Sequence, residues 1–346
     1  MSGSGPKAAA ERHHAGPPLM PGEHSMSELE VLTVGRVGVD LYPEQSGVPL
    51  AQVRTFAKSL GGTATNVAVA AARMGRRSAV VTKVGADGFG EYVRTALGEF
   101  GVSARYVATS ADLLTPVVFC ELNPPADPPL LFYRAPIAPD LTLTEDDIPW
   151  DVVESVPLLW VTGTGVCAEP ARSTQHRVLE RRARRGHTVL DLDYRPMFWP
   201  DAMTAGRAIG ALLDHVNVVV GNRTEVRVAV GTDDPGVAAD RLVERGVELA
   251  VIKCGADGVF VADAAGHRWT VPPCRVEVVC GLGAGDGFGG ALAHGLLAGW
   301  DPRRAAEYAN AAGALVASRL ACADAMPTSA EIEELLRRGR RAEEIV

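Results

Sequence analysis

Residues 280–300, CGLGAGDGFGGALAHGLLAGW, decide how the chain is read. Gly281, Gly283 and Gly285 alternate with small residues, so the backbone can approach a ligand with no Cβ atoms in the way. From Asp286 onward, Phe288, Ala291, Leu292, Gly295, Leu296 and Leu297 recur at helical spacing. The glycine turn therefore sits at a helix N-terminus, where free N–H groups and the macrodipole favour an anion. Asp286 stands at the same point. One reading is structural, with Asp286 capping the helix. The other is a phosphoryl site. There the N–H groups of Gly283, Ala284 and Gly285 form an anion hole, and Asp286 takes the proton of an attacking hydroxyl. Taken alone, the stretch admits both.

The chain has 346 residues, room for one large domain or a domain with an appendage. Its formal net charge of −8 argues against a partner bound through a nucleic-acid backbone. Six cysteines are scattered with no C-x-x-C pair, so neither a zinc site nor a disulfide framework is indicated. They read as reduced thiols of a cytoplasmic protein. No apolar run reaches the length of a membrane span, and the N-terminus lacks the apolar core of a signal peptide. Residues 1–28 are rich in Gly, Pro, Ala and His without periodicity and read as a disordered leader. Residues 29–346 would form the folded domain.

Along that domain, buried strands end in turns that start helices. Residues 31–34, 79–84, 156–161, 188–192, 216–220 and 249–253 read as strands of a doubly wound, largely parallel α/β sheet. Ligands in such sheets bind at the carboxyl ends of strands. The residues found there are therefore candidates, each with a structural alternative. Asp40 can hold hydroxyls or stabilise a turn. Gly61-Gly62 leads into a helix carrying Asn66, either a polyol contact or a capped start. Asp191, Asp193 and Arg195 follow one strand. Asn222 and Glu225, three apart, suit hydrated Mg²⁺ or a capping box. Lys253 precedes the glycine turn Gly255–Gly258. Residues 35–38 hint at a dinucleotide fingerprint, but the third glycine is missing and Pro43 follows, so a dehydrogenase reading is poor. Residues 171–185 read as a helix whose arginines, at 181, 182, 184 and 185, form a solvated face. Residues 41–60 and 105–135 break the rhythm. Two strands there, joined by the Pro-rich turn 123–129, predict a small separate sheet.

With these segments in view, the chain resembles the ribokinase (PfkB) family of sugar kinases from about residue 31 to 326. Gly283-Ala284-Gly285-Asp286 resembles the family's second signature. The Gly61-Gly62 pair, with Asn66 four residues after the second glycine, resembles the first. The resemblance implies a ribokinase-like three-layer α/β/α sandwich with a mainly parallel central sheet, and a β-sheet lid built from about 41–60 and 105–135. It implies ATP and Mg²⁺, with Asp286 as catalytic base. Asp40, Gly62 and Asn66 would hold the sugar. Asn222, Lys253, Gly255, Gly258 and Asn310 would hold ATP, and Glu225 the Mg²⁺ through water. Tyr133-Arg134 resembles a pair in 2-keto-3-deoxygluconate kinases. Residues 133–140 and 191–199 resemble their counterparts in bacterial 5-dehydro-2-deoxygluconokinases. The expected acceptor is thus a sugar acid phosphorylated on its terminal 6-hydroxyl. Its carboxylate would be held by Arg134 and Arg195, with Tyr133 and Asp193 beside them. Alternatives are a 2-keto-3-deoxygluconate kinase, a fructokinase, a ribokinase, or a catalytically silent sugar-binding regulator. Asp286 and the whole Gly-Ala-Gly turn argue against the last. Lids of this kind often pair edge to edge, which suggests a homodimer. One departure stands out. The family's Asp-Thr before the second signature is Cys280-Gly281 here, which leaves activation by a monovalent cation in doubt.

Overall fold

Short runs rich in valine, leucine and isoleucine, buried on both faces, form the centre of the molecule, as parallel strands covered by helices require. The structure, a computed structural model, describes residues 29–45, 47–124 and 128–343, so the leader expected over 1–28 lies outside the described residues. The strands are β1 (Val31–Val34), β2 (Gly38–Pro43), β3 (Phe56–Gly61), β4 (Ser78–Gly85), β5 (Val102–Ser103), β6 (Val107–Ser110), β7 (Val117–Cys120), β8 (Leu130–Tyr133), β9 (Leu158–Thr162), β10 (His187–Asp191), β11 (Val218–Asn222), β12 (Leu249–Lys253), β13 (Val259–Asp263) and β14 (Arg268–Val271). The helices are α1 (Thr63–Arg73), α2 (Gly88–Glu99), α3 (Trp150–Ser155), α4 (Ala171–Arg182), α5 (Ala202–Gly210), α6 (Arg223–Val230), α7 (Pro235–Glu244), α8 (Ala284–Leu297), α9 (Pro302–Ala317) and α10 (Ser329–Glu343).

The main sheet has ten strands in the order β14-β13-β12-β11-β10-β9-β1-β4-β5, with β6 also paired to β4. Pairing is parallel except at β12-β13 and β13-β14. Alternation along each strand sorts the core into two layers. Leu32, Val34, Leu159, Val161, Leu190, Val219 and Ile252 pack beneath α3 to α7. Val31, Leu158, Trp160, Val189, Val218 and Val251 pack beneath α1, α8, α9 and α10. The result is a three-layer α/β/α sandwich. A second sheet, β3-β2-β7-β8, stands beside it. Its strands depart from the segments 41–60 and 105–135: β2 starts earlier, at Gly38, β3 runs on to Gly61, and Val107–Ser110 pairs with β4 of the main sheet instead.

Only residues 35–37 separate β1 of the main sheet from β2 of the small one, so the two sheets meet at a tight corner. The Gly61-Gly62 pair is the counterpart of that corner. A Cβ at Gly61 would overlap the Asp40 carboxylate. Gly62 adopts φ +103°, and a Cβ there would lie 2.7 Å from Val37 Cα. The basic helix differs from its sequence reading. α4 ends at Arg182, and Ala183 and Arg184 turn left-handed at φ 49° and 58°. Arg182 is buried rather than solvated. It donates to Val153 O at 2.9 Å and to Thr188 Oγ1 at 3.2 Å, because the helix end packs onto the start of β10.

Helix α8 lies unusually close to α1 because it presents glycine there. A Cβ on Gly290 would collide with Ala70 Cβ and come 2.9 Å from Ala71 N, and one on Gly289 would come 2.8 Å from the Trp160 ring. This approach fixes where the N-terminus of α8 points. Gly290→Ala must push the helices apart. It is expected to lower stability by about 1–3 kcal/mol in urea unfolding.

Candidate active site

The carboxyl ends of β1, β10, β11 and β12 and the N-termini of α1 and α8 converge on one cleft, roofed by Pro128, Leu130 and Phe132 of the small sheet. Two cavities fill it and meet at Asp286. One, of about 20 Å³, is lined by Arg36, Asp40, Gly62, Asn66, Phe132, Arg195 and Cys322 among others. The other, of about 180 Å³, is lined by Thr63, Asp191, Asp193, Asn222, Glu225, Lys253 and the glycine turn. The first is no larger than a water-sized void.

Asp286 lies in the first turn of α8, after Gly283, which takes φ +80°. The first-turn N–H groups of a helix have no intrahelical acceptors, so they face the cleft as donors. Ala284 N has only a long 3.4 Å contact, to Gly281 O. Asn66 Nδ2 donates to Asp286 Oδ2 at 2.7 Å. Burial pushes the Asp286 carboxyl up to about 6, against the Asn66 hydrogen bond and helped by the negative charge of Asp193. Asp40 is likewise pushed up to about 6 by burial, with Arg36 and hydrogen bonds from Cys322 and Tyr42 opposing.

Deeper in the larger cavity, burial drives Asp191 well above the usual carboxylate range while Lys253 opposes it. Burial alone would lower Lys253, but Asp191, Glu225 and Asp286 outweigh it and raise its ammonium. A Cβ on Gly285 would lie 3.2 Å from Lys253 Nζ, so glycine at 285 leaves room for the lysine beside the turn. Asn222 and Glu225 do form a capping box, with Glu225 N to Asn222 Oδ1 at 2.9 Å and Asn222 N to Glu225 Oε2 at 2.7 Å. Both residues nevertheless line the cavity, so the cap aims the glutamate into it.

The expected substrate contacts divide. Asp193, buried at φ 28°, accepts from Thr164 Oγ1 at 2.6 Å and from Arg195 Nε at 3.2 Å. Burial would raise its carboxyl, but Arg195, Arg36 and the hydroxyls of Thr164 and Thr63 hold it below the usual value. It therefore positions Arg195, whose side chain remains 35% exposed to the cleft. Arg134 does not reach Asp286. Its Nη2 binds the buried Asp140 at 2.8 Å, and it lines a separate, mainly apolar cavity with Ile137, Cys167, Met197 and Phe198. Tyr133 faces away from the cleft, because alternation in β8 turns Leu130 and Phe132 inward and residue 133 outward. It is 61% exposed and packs edge-on against Phe119. Gly255, Gly258 and Asn310 line neither cavity. Gly258 takes φ +84° against the Val271 carbonyl, and Asn310 donates to Pro272 O at 2.8 Å. Cys280 sits in a buried cluster with Cys120, Cys322 and Tyr42, a soft lining unlike the oxygen ligands of hard cations.

Sequence reading missed Arg36, Thr63 and Thr164. Arg36 lay inside the rejected dinucleotide pattern. The usable signal was an arginine two residues beyond a buried strand, on the same corner as Asp40.

Comparison with known proteins places the chain in a family. Residues 28–329 match the pfkB family carbohydrate kinase domain. A 5-dehydro-2-deoxygluconokinase of Photobacterium profundum is 33% identical over 308 residues, 87% of this chain and 92% of that one. Its counterpart in Geobacillus thermodenitrificans is 30% identical over 314 residues, 89% and 93% of the two chains. The fold matches the crystal structure of Vibrio cholerae O395 fructokinase in its fructose-, ADP- and calcium-bound form, with a TM-score of 0.79 and 25% identity over 90% of this chain and 99% of that one. The chain belongs to the PfkB family of carbohydrate kinases.

Proposed function

We propose that this kinase transfers the γ-phosphoryl group of ATP to the 6-hydroxyl of 5-dehydro-2-deoxy-D-gluconate, as the names of its relatives suggest. The observation that carries the reading is Asp286. It is a buried carboxylate at the N-terminus of α8, tied to Asn66, between a small polar cavity and a larger one lined by Lys253 and Glu225.

In this reading Asp286 accepts the proton of the acceptor hydroxyl. The hydroxyl oxygen forms a bond to the γ-phosphorus, and the bond to the bridging oxygen breaks, releasing ADP. The N–H groups of Gly283, Ala284 and Gly285, with Lys253, meet the charge of the transferring group. Asp40, Gly62 and Asn66 bind the polyol, and Arg195 faces the acid. Among the described residues no group of three or more His, Cys, Asp or Glu side chains forms a metal cage. Mg²⁺ keeps waters and takes few carboxylates. Glu225 and Asp191 would hold it, and when bound it neutralises phosphate charge. Asn222 lies close enough to assist on the nucleotide side, whereas Gly255, Gly258 and Asn310 would serve only as outer walls for the nucleotide. Closure of the small sheet would exclude water and limit idle ATP hydrolysis.

No helix among the described residues is long and apolar enough to cross a membrane. We assign the protein to the cytoplasm, the usual compartment for six free cysteines. The outer face of the small sheet carries Phe56, Phe119 and Tyr133 in edge-to-face contact at 5.2 and 5.5 Å, and we propose that a second copy packs there. If so, Tyr133→Asp shifts the protein toward monomer in sedimentation, and an unchanged mass contradicts the dimer.

A coupled ATP-consumption assay with Mg²⁺ should rank 5-dehydro-2-deoxygluconate above 2-keto-3-deoxygluconate, fructose and ribose. Preference for a neutral sugar would remove the acid assignment. Asp286→Asn should lose roughly 10²–10⁴-fold in kcat while remaining folded. The base works only when deprotonated. Since burial holds Asp286 at about 6, kcat/KM should fall as pH drops through about 6, not through the ordinary aspartate range.

A further inference from the structure

Three arginines stand around the roof of the cleft, and they differ in how their charge is met. Arg134 is paired with Asp140 and Arg195 with Asp193. Arg36 has no ion pair among the described residues, although it is only 7% exposed. Its Nη2 donates to Thr63 Oγ1 at 2.8 Å, and its Nε has no hydrogen-bond partner. The guanidinium carbon lies 5.8 Å from the centre of the Phe132 ring and 6.0 Å from that of Phe198, so aromatic faces shield it from water. The backbone is fixed as well, since Thr65 Oγ1 donates to Arg36 O at 3.2 Å.

A buried guanidinium with spare donors and no paired anion is costly. Its position shows where the missing anion belongs. Arg36 lines the same small cavity as Asp40, Asn66 and Asp286. Asp40, Asp193 and Asp286 lie near enough to feel its charge, but none of them makes an ion pair with it. A planar carboxylate from the ligand would use the open Nε edge and replace a lost hydration shell in a water-poor pocket.

We propose that Arg36 is the specificity-determining residue that binds the carboxylate of the acceptor, with Arg195 in support and Arg134 outside the site. This deepens the sugar-acid reading above and rests on it. The corner between β1 and β2 holds Arg36 where the small sheet joins the main one. Binding the acid would therefore tie the far end of the acceptor to that corner while its hydroxyl meets Asp286.

The test compares 5-dehydro-2-deoxygluconate with its neutral carboxamide in the wild type, Arg36→Met and Arg36→Lys. Retained ATP–Mg²⁺ thermal stabilisation serves as the folding check. The wild type should prefer the acid. Arg36→Met should raise KM for the acid by roughly 10- to 100-fold and KM for the amide by much less, so the preference collapses. Arg36→Lys keeps the charge but loses the planar fork, and should fall between the two. It also carries the test if the Met variant does not fold. A wild type that prefers the acid while the folded variants keep that preference overturns the role of Arg36 alone. A wild type indifferent to the carboxylate overturns the sugar-acid reading and this inference with it.

Discussion

The 2.7 Å hydrogen bond from Asn66 to Asp286 joins the two glycine-led helix starts of the molecule. It forms only if α1 and α8 run close together, and Gly289 and Gly290 remove the side chains that would keep them apart. It also requires α1 to begin tight against the β1–β2 corner, which Gly62 at φ +103° allows. The bond thus depends on both glycine turns at once, and through it the two cavities of the cleft hold a fixed distance. Loosening either helix would move Asp286 relative to Asp40, Gly62 and Asn66 on the other side of the cleft, and positioning at that level governs rate.

Around this pair the charges are arranged in layers. Asp193 and Arg195 neutralise one another at the end of β10, helped by Thr164. Lys253 stands among Asp191, Glu225 and Asp286. Among the described residues Asp286 has an amide but no cation at bonding distance, so burial pushes its carboxyl up. A base near neutrality and a set of donors at a helix end are what transfer from a phosphate to a hydroxyl asks of a protein.

Much of this was legible in the sequence. Apolar runs set the strands of the main sheet, because burial on both faces leaves little choice of residue. The glycine turns marked the helix starts, and strand ends marked Asp40, Asp191 and Lys253. What sequence could not show was side-chain direction. Tyr133 and Arg134 are neighbours in a motif, yet strand alternation sends one to the outer face while the other pairs with Asp140 seven residues after Tyr133. Arg182 looked solvated because its neighbours are basic, but three-dimensional packing gave it carbonyl partners. Arg36 was hidden for the opposite reason. Its only local mark is a place two residues beyond a buried strand, and its meaning comes from having no carboxylate in ion-pair contact among the described residues.

The proposed chemistry turns on Asp286 as a carboxylate made basic by its surroundings. The most direct measurement is an NMR pH titration of the protein labelled with carbon-13 at its aspartate carboxyls, alongside the Asp286→Asn variant. The resonance missing from the variant should titrate near 6 in the wild type. A missing resonance that titrates in the ordinary aspartate range would contradict it.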